Sequence, residues 1–169
     1  MTISTPHQAR AFAVAAHGEQ TYGVHPYVHH LDAVAAIAAP FGEAAVVTAY
    51  LHDTVEDTPA TLAEITDLFG PEIAACVALL TDEPGANRKE RKAKTYAKLA
   101  LVTGPQELAL IVKAADRLAN VRASVADRNE RMLDVYRGEH PTFRAAAYRP
   151  GLCDPLWTEL DALLESDAR

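Results

Sequence analysis

Residues 52 to 57 read His-Asp-Thr-Val-Glu-Asp, which places four ionisable side chains within one short stretch. They follow Ala44 to Leu51, a run with too few polar positions for a helix exposed to water. His52 and Asp53 therefore stand at the end of a largely buried element. A carboxylate removed from water needs a cation or several donors. A divalent metal satisfies both residues together, because imidazole and carboxylate are both good ligands for first-row ions. If helical winding continues for one more turn, Glu56 falls four after His52 and Asp57 four after Asp53. The second acid pair then faces the same side as the first. The bland alternative is a salt-bridge network in which His52 and Asp53 pair with each other and with Arg117.

A second ionisable stripe lies in "LALIVKAADRLANVR". Lys113, Asp116, Arg117 and Asn120 fall at i, i+3, i+4 and i+7, one polar face on a helix whose other faces are apolar. The stripe either lines a cavity or faces solvent, and the pattern alone does not choose. "PYVHHLDAVAAIA" offers His29 and His30 at the start of a helix, pointing in different directions, so at most one belongs to a common site. His7, His25 and His140 are read as structural, and His17 as a favourable partner for a helix C-terminus. "NRKERKAKTYAK" concentrates Arg88, Lys89, Arg91, Lys92, Lys94 and Lys98, six of the sixteen basic residues. Taken alone it is a solvated helix face. It gains meaning only beside a phosphate-handling site.

The elements that must position these groups are helical. The periodicity predicts helices over 5–17, 28–39, 42–53, 59–69, 71–80, 88–100, 105–122, 126–137 and 153–165, with 141–148 a weaker candidate. Thr58-Pro59 and the Thr61 to Glu64 capping box compete to start the fourth. Gly70-Pro71 and Gly104-Pro105 each end one segment and open another. No alternation of period two persists, so no sheet is expected. "TYGVHPY" and "YRPGLCDP" read as loops, and the tail from Glu165 is expected to fray. The expected fold class is all-α, a helical bundle of about nine to ten helices in a single domain over 1–169.

The chain has 169 residues, 49% of them hydrophobic, which suits one globular domain with a sizeable core. No apolar stretch is long enough to span a bilayer. The N-terminus "MTISTPHQAR" lacks a signal-peptide pattern. Cys76 and Cys153 have no CxxC spacing and read as ordinary thiols of a cytoplasmic protein. A net charge of −7 argues against nucleic-acid or anionic-membrane partners.

Taken in order, "AAHGEQ…PYVHH…LHDTVEDT…FG…LTDE…KAADRLANVR" resembles the hydrolase domain of the RelA/SpoT alarmone enzymes of the stringent response, within the HD superfamily of metal-dependent phosphohydrolases. The resemblance spans roughly residues 10 to 125, leaving 126–165 as C-terminal helices. A lone HD dipeptide carries little; "HDTVEDT" followed by "ADRLANVR" at this separation carries much. The chain is similar to the free-standing small alarmone hydrolases, including the metazoan SpoT-like homologues. On this reading it leaves no room for a synthetase domain.

The resemblance implies four metal ligands: His30, His52, Asp53 and Asp116. The family's histidine lies four after the proline of "PY", which selects His30 over His29; the family's next residue is proline, where this chain has Leu31. Glu56 and Asp57 match the acidic pair assigned to catalysis, and Asn120 a residue of the nucleotide pocket. The implied cofactor is one manganese ion, Mn2+, or another first-row metal. The implied reaction removes the 3′-pyrophosphate of a purine nucleotide alarmone such as ppGpp. Arg91 or Lys92 would draw in the polyphosphate. The loop "TYGVH" lacks the basic residue that packs on the purine in the family, and Tyr22 is the candidate stacking surface in its place. That departure leaves the base open. An adenosine alarmone, NADPH and a nucleoside monophosphate stay as alternative substrates, and an inactive HD ligand-binding module as the alternative class. The expected partner is a small-molecule nucleotide, with oligomeric state not inferable.

Overall fold

The computed structural model describes residues 5–165, so the expected fraying past Glu165 lies outside the described residues. Ten α-helices are present among them: α1 Pro6–His17, α2 Val28–Ala38, α3 Glu43–Leu51, α4 Thr54–Asp57, α5 Leu62–Phe69, α6 Pro71–Leu80, α7 Arg88–Ala100, α8 Leu108–Ala126, α9 Glu130–Ala147 and α10 Asp154–Glu165. Two short 3-10 turns, Ala39–Phe41 and Gly104–Glu107, lead into α3 and α8. Among the described residues no helix is long and apolar enough to cross a membrane.

Helix α8 is the axis of the bundle. Ala109, Leu110, Val112, Ala115, Leu118 and Val121 are all buried along it. It packs on α2 and α3 on one side, on α9 and α10 on the other, and on α6 near its start. Burial on so many faces is why the polar stripe of α8 cannot face bulk water. Lys113 is 7% exposed and Arg117 5% exposed. The stripe therefore lines the interior, which resolves the choice left open by its pattern.

Local chemistry explains the helix edges. Thr61 wins over Thr58: its side chain accepts from Glu64 N while the Glu64 carboxylate accepts from Thr61 N, a complete capping box. Asn87 caps α7 by accepting from Glu90 N. Helix α9 runs through Pro141 and joins the two segments that the sequence separates. Its apolar face, Leu133, Tyr136, Phe143 and Ala147, stays on the core across the proline, and that packing outweighs the lost hydrogen bond.

Two features depart from expectation. Residues 21–26 form a small antiparallel hairpin, β1 Thr21–Tyr22 and β2 His25–Pro26, with Tyr22 opposite His25. Gly23, at φ 59°, supplies the left-handed residue at the first central position of a two-residue turn. A pair this short leaves no alternation to read. The helix expected over 42–53 also stops at Leu51; Asp53 relaxes to φ −102°, ψ −3°, and α4 begins afresh. Thr54 Oγ1 donates to Leu51 O at 2.7 Å and secures that break. Asp57 N still donates to Asp53 O at 3.0 Å, so the turn continues the winding closely enough to keep the acids together.

Candidate active site

His52 sits at the C-terminal end of α3, fully surrounded, with its ring 1% exposed. The Nδ1 lies 2.6 Å from Ala49 O, so it carries the proton and donates it to that carbonyl. The lone pair of the neutral ring is thereby placed on Nε2. That nitrogen is buried without a hydrogen-bond partner. Yet Asp53 Oδ2 is 2.9 Å away and Asp116 Oδ1 3.4 Å away. Acceptors facing acceptors at this range repel unless a positive charge stands among them.

His30 completes the cluster from α2. Its Nε2 lies 3.2 Å from Asp116 Oδ1 and 3.8 Å from Asp53 Oδ2, and the ring is 3% exposed. Donor atoms of His30, His52 and Asp53 all fall within 4.8 Å of one another. Asp116 joins them through the oxygen that faces both imidazoles. His29, one residue away, points elsewhere and stacks on His25 with ring centroids 4.2 Å apart. Two imidazole nitrogens and two carboxylates, one nitrogen orphaned and buried, are a donor set that suits a divalent first-row ion. The fit is chemical as well as geometric. Without an ion a proton on Nε2 meets the same demand: burial opposes charge on His52, but Asp53 and Asp116 outweigh it and hold its pKa well above the ordinary histidine value. Burial likewise opposes charge on Asp53 and Asp116, and His52 more than compensates, holding both carboxyls low.

Neutral donors hold each carboxylate from behind. The Tyr27 hydroxyl donates to Asp53 Oδ2 at 2.5 Å. Asn120 Nδ2 donates to Asp116 Oδ1 at 2.8 Å, and Asn120 Oδ1 accepts from the Tyr22 hydroxyl at 2.6 Å. The Tyr22 ring stacks on His30 at 4.7 Å with the planes 12° apart. Partners of this kind orient ligating side chains.

These residues form one end of a cavity of about 210 Å³. Glu56 and Asp57 line it too. Glu56 Oε1 accepts from Asp82 N at 2.6 Å, and Asp57 Oδ2 lies 3.4 Å from the Tyr27 hydroxyl. Burial raises both carboxyl pKa values, and nearby negative charge adds to it: Asp82 and Asp53 for Glu56, Asp53 for Asp57. An elevated carboxyl pKa suits proton exchange closer to neutral pH.

Cations line the cavity beside the carboxylates. Arg88, Lys92, Lys113 and Arg117 line the same cavity. Each is steadied by an acid. Glu139 Oε2 accepts from Arg117 Nη2 at 2.9 Å, and Glu139 Oε1 accepts from Arg88 Nε at 2.6 Å. Lys92 Nζ donates to Asp82 Oδ2 at 2.7 Å. Burial works against the charge of Glu139, and the two guanidiniums overcome it. Arg117 Nη1 remains buried without a hydrogen-bond partner.

Of the residues singled out by the sequence, the structure brings His30, Asp53, Glu56, Asp57, Asp116, Asn120, Tyr22 and Lys92 to this one cavity, with His52 buried against Asp53. Arg91 is the exception. Helical winding turns positions 88 and 92 inward and leaves 91 on the flank of α7, where its backbone lies close to Gly85. Arg88 takes the place expected of it. Tyr27 and Glu139 were not singled out. Glu139 lies 22 and 51 residues from its arginine partners, so no local pattern could mark it.

The chain is similar to a protein named GTP pyrophosphokinase rsh from Brucella ovis, 36% identical over 153 residues, covering 87% of this chain and 20% of that protein. It is similar to guanosine-3′,5′-bis(diphosphate) 3′-pyrophosphohydrolase from Aquifex aeolicus, 32% identical over 148 residues, covering 86% of this chain and 21% of that one. It thus spans about a fifth of the length of these curated relatives. Among solved structures, a metazoan ortholog of SpoT described as hydrolyzing ppGpp shares the fold, with TM-score 0.77, 24% identity, and 96% of this chain and 95% of that chain covered. A Listeria monocytogenes protein superimposes with TM-score 0.69 at 27% identity, over 83% of this chain and 96% of that one. The HD domain family matches residues 9–152, a span that embraces every residue of the imidazole and carboxylate cluster. The chain belongs to the HD domain family.

Proposed function

We propose that this protein hydrolyses the 3′-pyrophosphate of a guanosine alarmone of the ppGpp type, with manganese as the ion held by His30, His52, Asp53 and Asp116. The observation that carries the reading is the apposition of a cation-demanding ligand cluster and a group of cationic side chains in one cavity. A ligand that satisfies both is polyanionic and reaches the cluster with a phosphoryl group. The name of the Aquifex aeolicus relative, guanosine-3′,5′-bis(diphosphate) 3′-pyrophosphohydrolase, supports the same choice.

When bound, the ion would supply Lewis acidity and make hydroxide available from water near neutral pH. The chain's own residues do the rest. Arg88, Lys92, Lys113 and Arg117 bind the pyrophosphate and offset the charge that builds on its oxygens. Water attacks the phosphorus bonded to the ribose 3′ oxygen, that P–O bond breaks, and pyrophosphate departs. Glu56 and Asp57 orient the water and accept its proton, and the acid so protonated returns that proton to the departing 3′ oxygen, leaving a free 3′ hydroxyl. Asn120 holds Asp116 and borders the space for the sugar, and Tyr22 covers His30 and closes the site on the nucleoside side.

The test is a substrate panel: purified protein with Mn2+, offered ppGpp, its adenosine counterpart, NADPH and deoxynucleoside monophosphates, with products separated by anion exchange. Pyrophosphate release from ppGpp at the highest kcat/KM is expected. A guanosine alarmone that ranks below the other substrates rejects the reading.

A further inference from the structure

A second cavity, of about 250 Å³, opens directly beside the metal cluster. It shares Tyr22, Asn120 and Tyr136 with the site and extends away from it past Ala123, Asp127 and Met132. Tyr22, Tyr136 and Met132 give it flat and apolar faces, and Asn120, Ser124, Asp127 and Asn129 give it polar edges, a mixture that suits a heterocycle with hydrogen-bonding groups on its rim. Asp127 brings a full negative charge to this lining.

The position of that charge calls for an explanation. Asp127 is the C-cap of α8, where the partial negative end of the helix makes a carboxylate unfavourable. Its side chain is exposed and held by no described ion pair or hydrogen bond, and its charge bears on the Tyr22 hydroxyl. The next residue, Arg128, takes a left-handed backbone at φ 52°, uncommon for a side chain of that size. Fold stability gives no reason for an acid here. A ligand edge rich in donors does.

We propose that Asp127 selects guanine over adenine, its carboxylate accepting from the ring N1–H and the exocyclic amino group of the base. This deepens the reading of the site as a nucleotide site and rests on it. An ionised carboxylate is an acceptor on both oxygens. Guanine presents two adjacent donors on that edge, so the match is two-pronged and charge-assisted. Adenine presents a lone pair at N1 and no amino group at C2, so the same carboxylate repels it. The discrimination thus arises from a side chain at the end of α8, in a cavity that Tyr22 and Gly23 of the "TYGVH" loop also line, although that loop carries no basic residue to pack on the purine.

Binding and turnover are read separately. Full-length protein in chelator, where no hydrolysis intrudes, is titrated calorimetrically with ppGpp and with its adenosine counterpart. The wild type is expected to favour the guanosine form by about tenfold or more. Asp127→Ala is expected to bring the two affinities together. Asp127→Asn, which offers an amide donor to adenine N1, is expected to favour the adenosine form. Asp127 is exposed at a helix end, so unchanged melting temperatures are expected for both variants. A guanine preference that survives both substitutions, equal affinities in the wild type, or no binding of either nucleotide overturns the assignment. Guanine-selective binding without pyrophosphate release on adding Mn2+ would instead sink the proposed hydrolysis and leave Asp127 as the selector. Hydrolysis without base preference would do the reverse.

Discussion

The Tyr27 hydroxyl donates to Asp53 Oδ2 at 2.5 Å, the same oxygen that faces the His30 and His52 imidazoles. The Tyr27 ring is itself fixed by stacking on His17, with centroids 4.3 Å apart. On the proposed reading Tyr27 is therefore a positioning residue: it would aim the Asp53 oxygen at the ion without reaching the ion itself. Tyr27→Phe keeps the stack and removes the aim. The variant is expected to bind Mn2+ about 10–100-fold more weakly, the usual cost of losing a partner behind a ligand. Calorimetric titration of the chelator-treated protein reads this directly. Equal affinity in the variant would mean that Asp53 is held by its backbone alone.

The cluster also fixes how stability of the metal-free protein depends on pH. The folded pKa of His52 lies well above the ordinary value of 6.5. Its contribution is full below that ordinary value and is lost as pH rises through the folded value. Asp53 and Asp116 are held below 3.8, so their contribution is present above that value and is lost as pH falls through the depressed ones. In chelator the melting temperature should therefore fall on the alkaline side of neutrality. With Mn2+ the ion takes the place of the proton on Nε2, and that alkaline decline should flatten. Thermal melts from about pH 5 to about pH 10, with His52→Asn as control, check it. A chelated wild type and a His52→Asn variant with the same alkaline slope would contradict it.

Much of this was legible before the fold was known, for identifiable reasons. Helix edges show because caps and glycine-proline steps are local signals, as at Thr61 and Gly70. His52 and Asp53 stand out because a charged pair ends an apolar run. The break between them and α4 does not show, since Thr54 Oγ1 bonding to Leu51 O looks like any threonine in a helix. The ion pairs of Glu139 with Arg88 and Arg117 form only when α9 docks on α7 and α8. The position of Arg91 was missed by one helical step: a run of basic residues gives charge, but only the apolar pattern of α7 says which of them turns inward.

Glu139 is the acid that pairs with both arginines of the cavity. It accepts from Arg88 and Arg117, and Arg117 is 5% exposed. Removing it strands a buried guanidinium that stacks over Tyr136 and Phe143 at 4.9 and 4.5 Å. Glu139→Ala should destabilise the protein by about 3 kcal/mol, the low end of the range for breaking a buried pair because Glu139 itself keeps some exposure. Urea unfolding with an unchanged m value measures it. Glu139→Gln keeps the acceptor and should recover part of the loss. A Glu139→Ala midpoint equal to wild type would show that water satisfies Arg117.

Asp53 offers the sharpest separation of a ligand from a structural ion pair. If its purpose were to balance His52, Asp53→Ala would weaken the fold with or without metal, because a buried imidazolium would lose its nearest anion at 2.9 Å. If it also holds an ion jointly with Asp116, the fold gains a second sensitivity, to the metal. In chelator Asp53→Ala should melt below wild type, since the His52 imidazolium holds the Asp53 carboxyl low in the folded protein, and Asp116 at 3.4 Å from His52 softens the loss. Adding Mn2+ should then raise the wild-type melting temperature and leave the variant's unchanged, since only a protein that binds the ion in its folded state gains stability from it. Metal analysis after gel filtration should find the ion retained by the wild type and lost from Asp53→Ala, together with pyrophosphate release. A variant that melts early in chelator yet keeps both metal and turnover would place Asp53 in the fold and remove it from the metal centre.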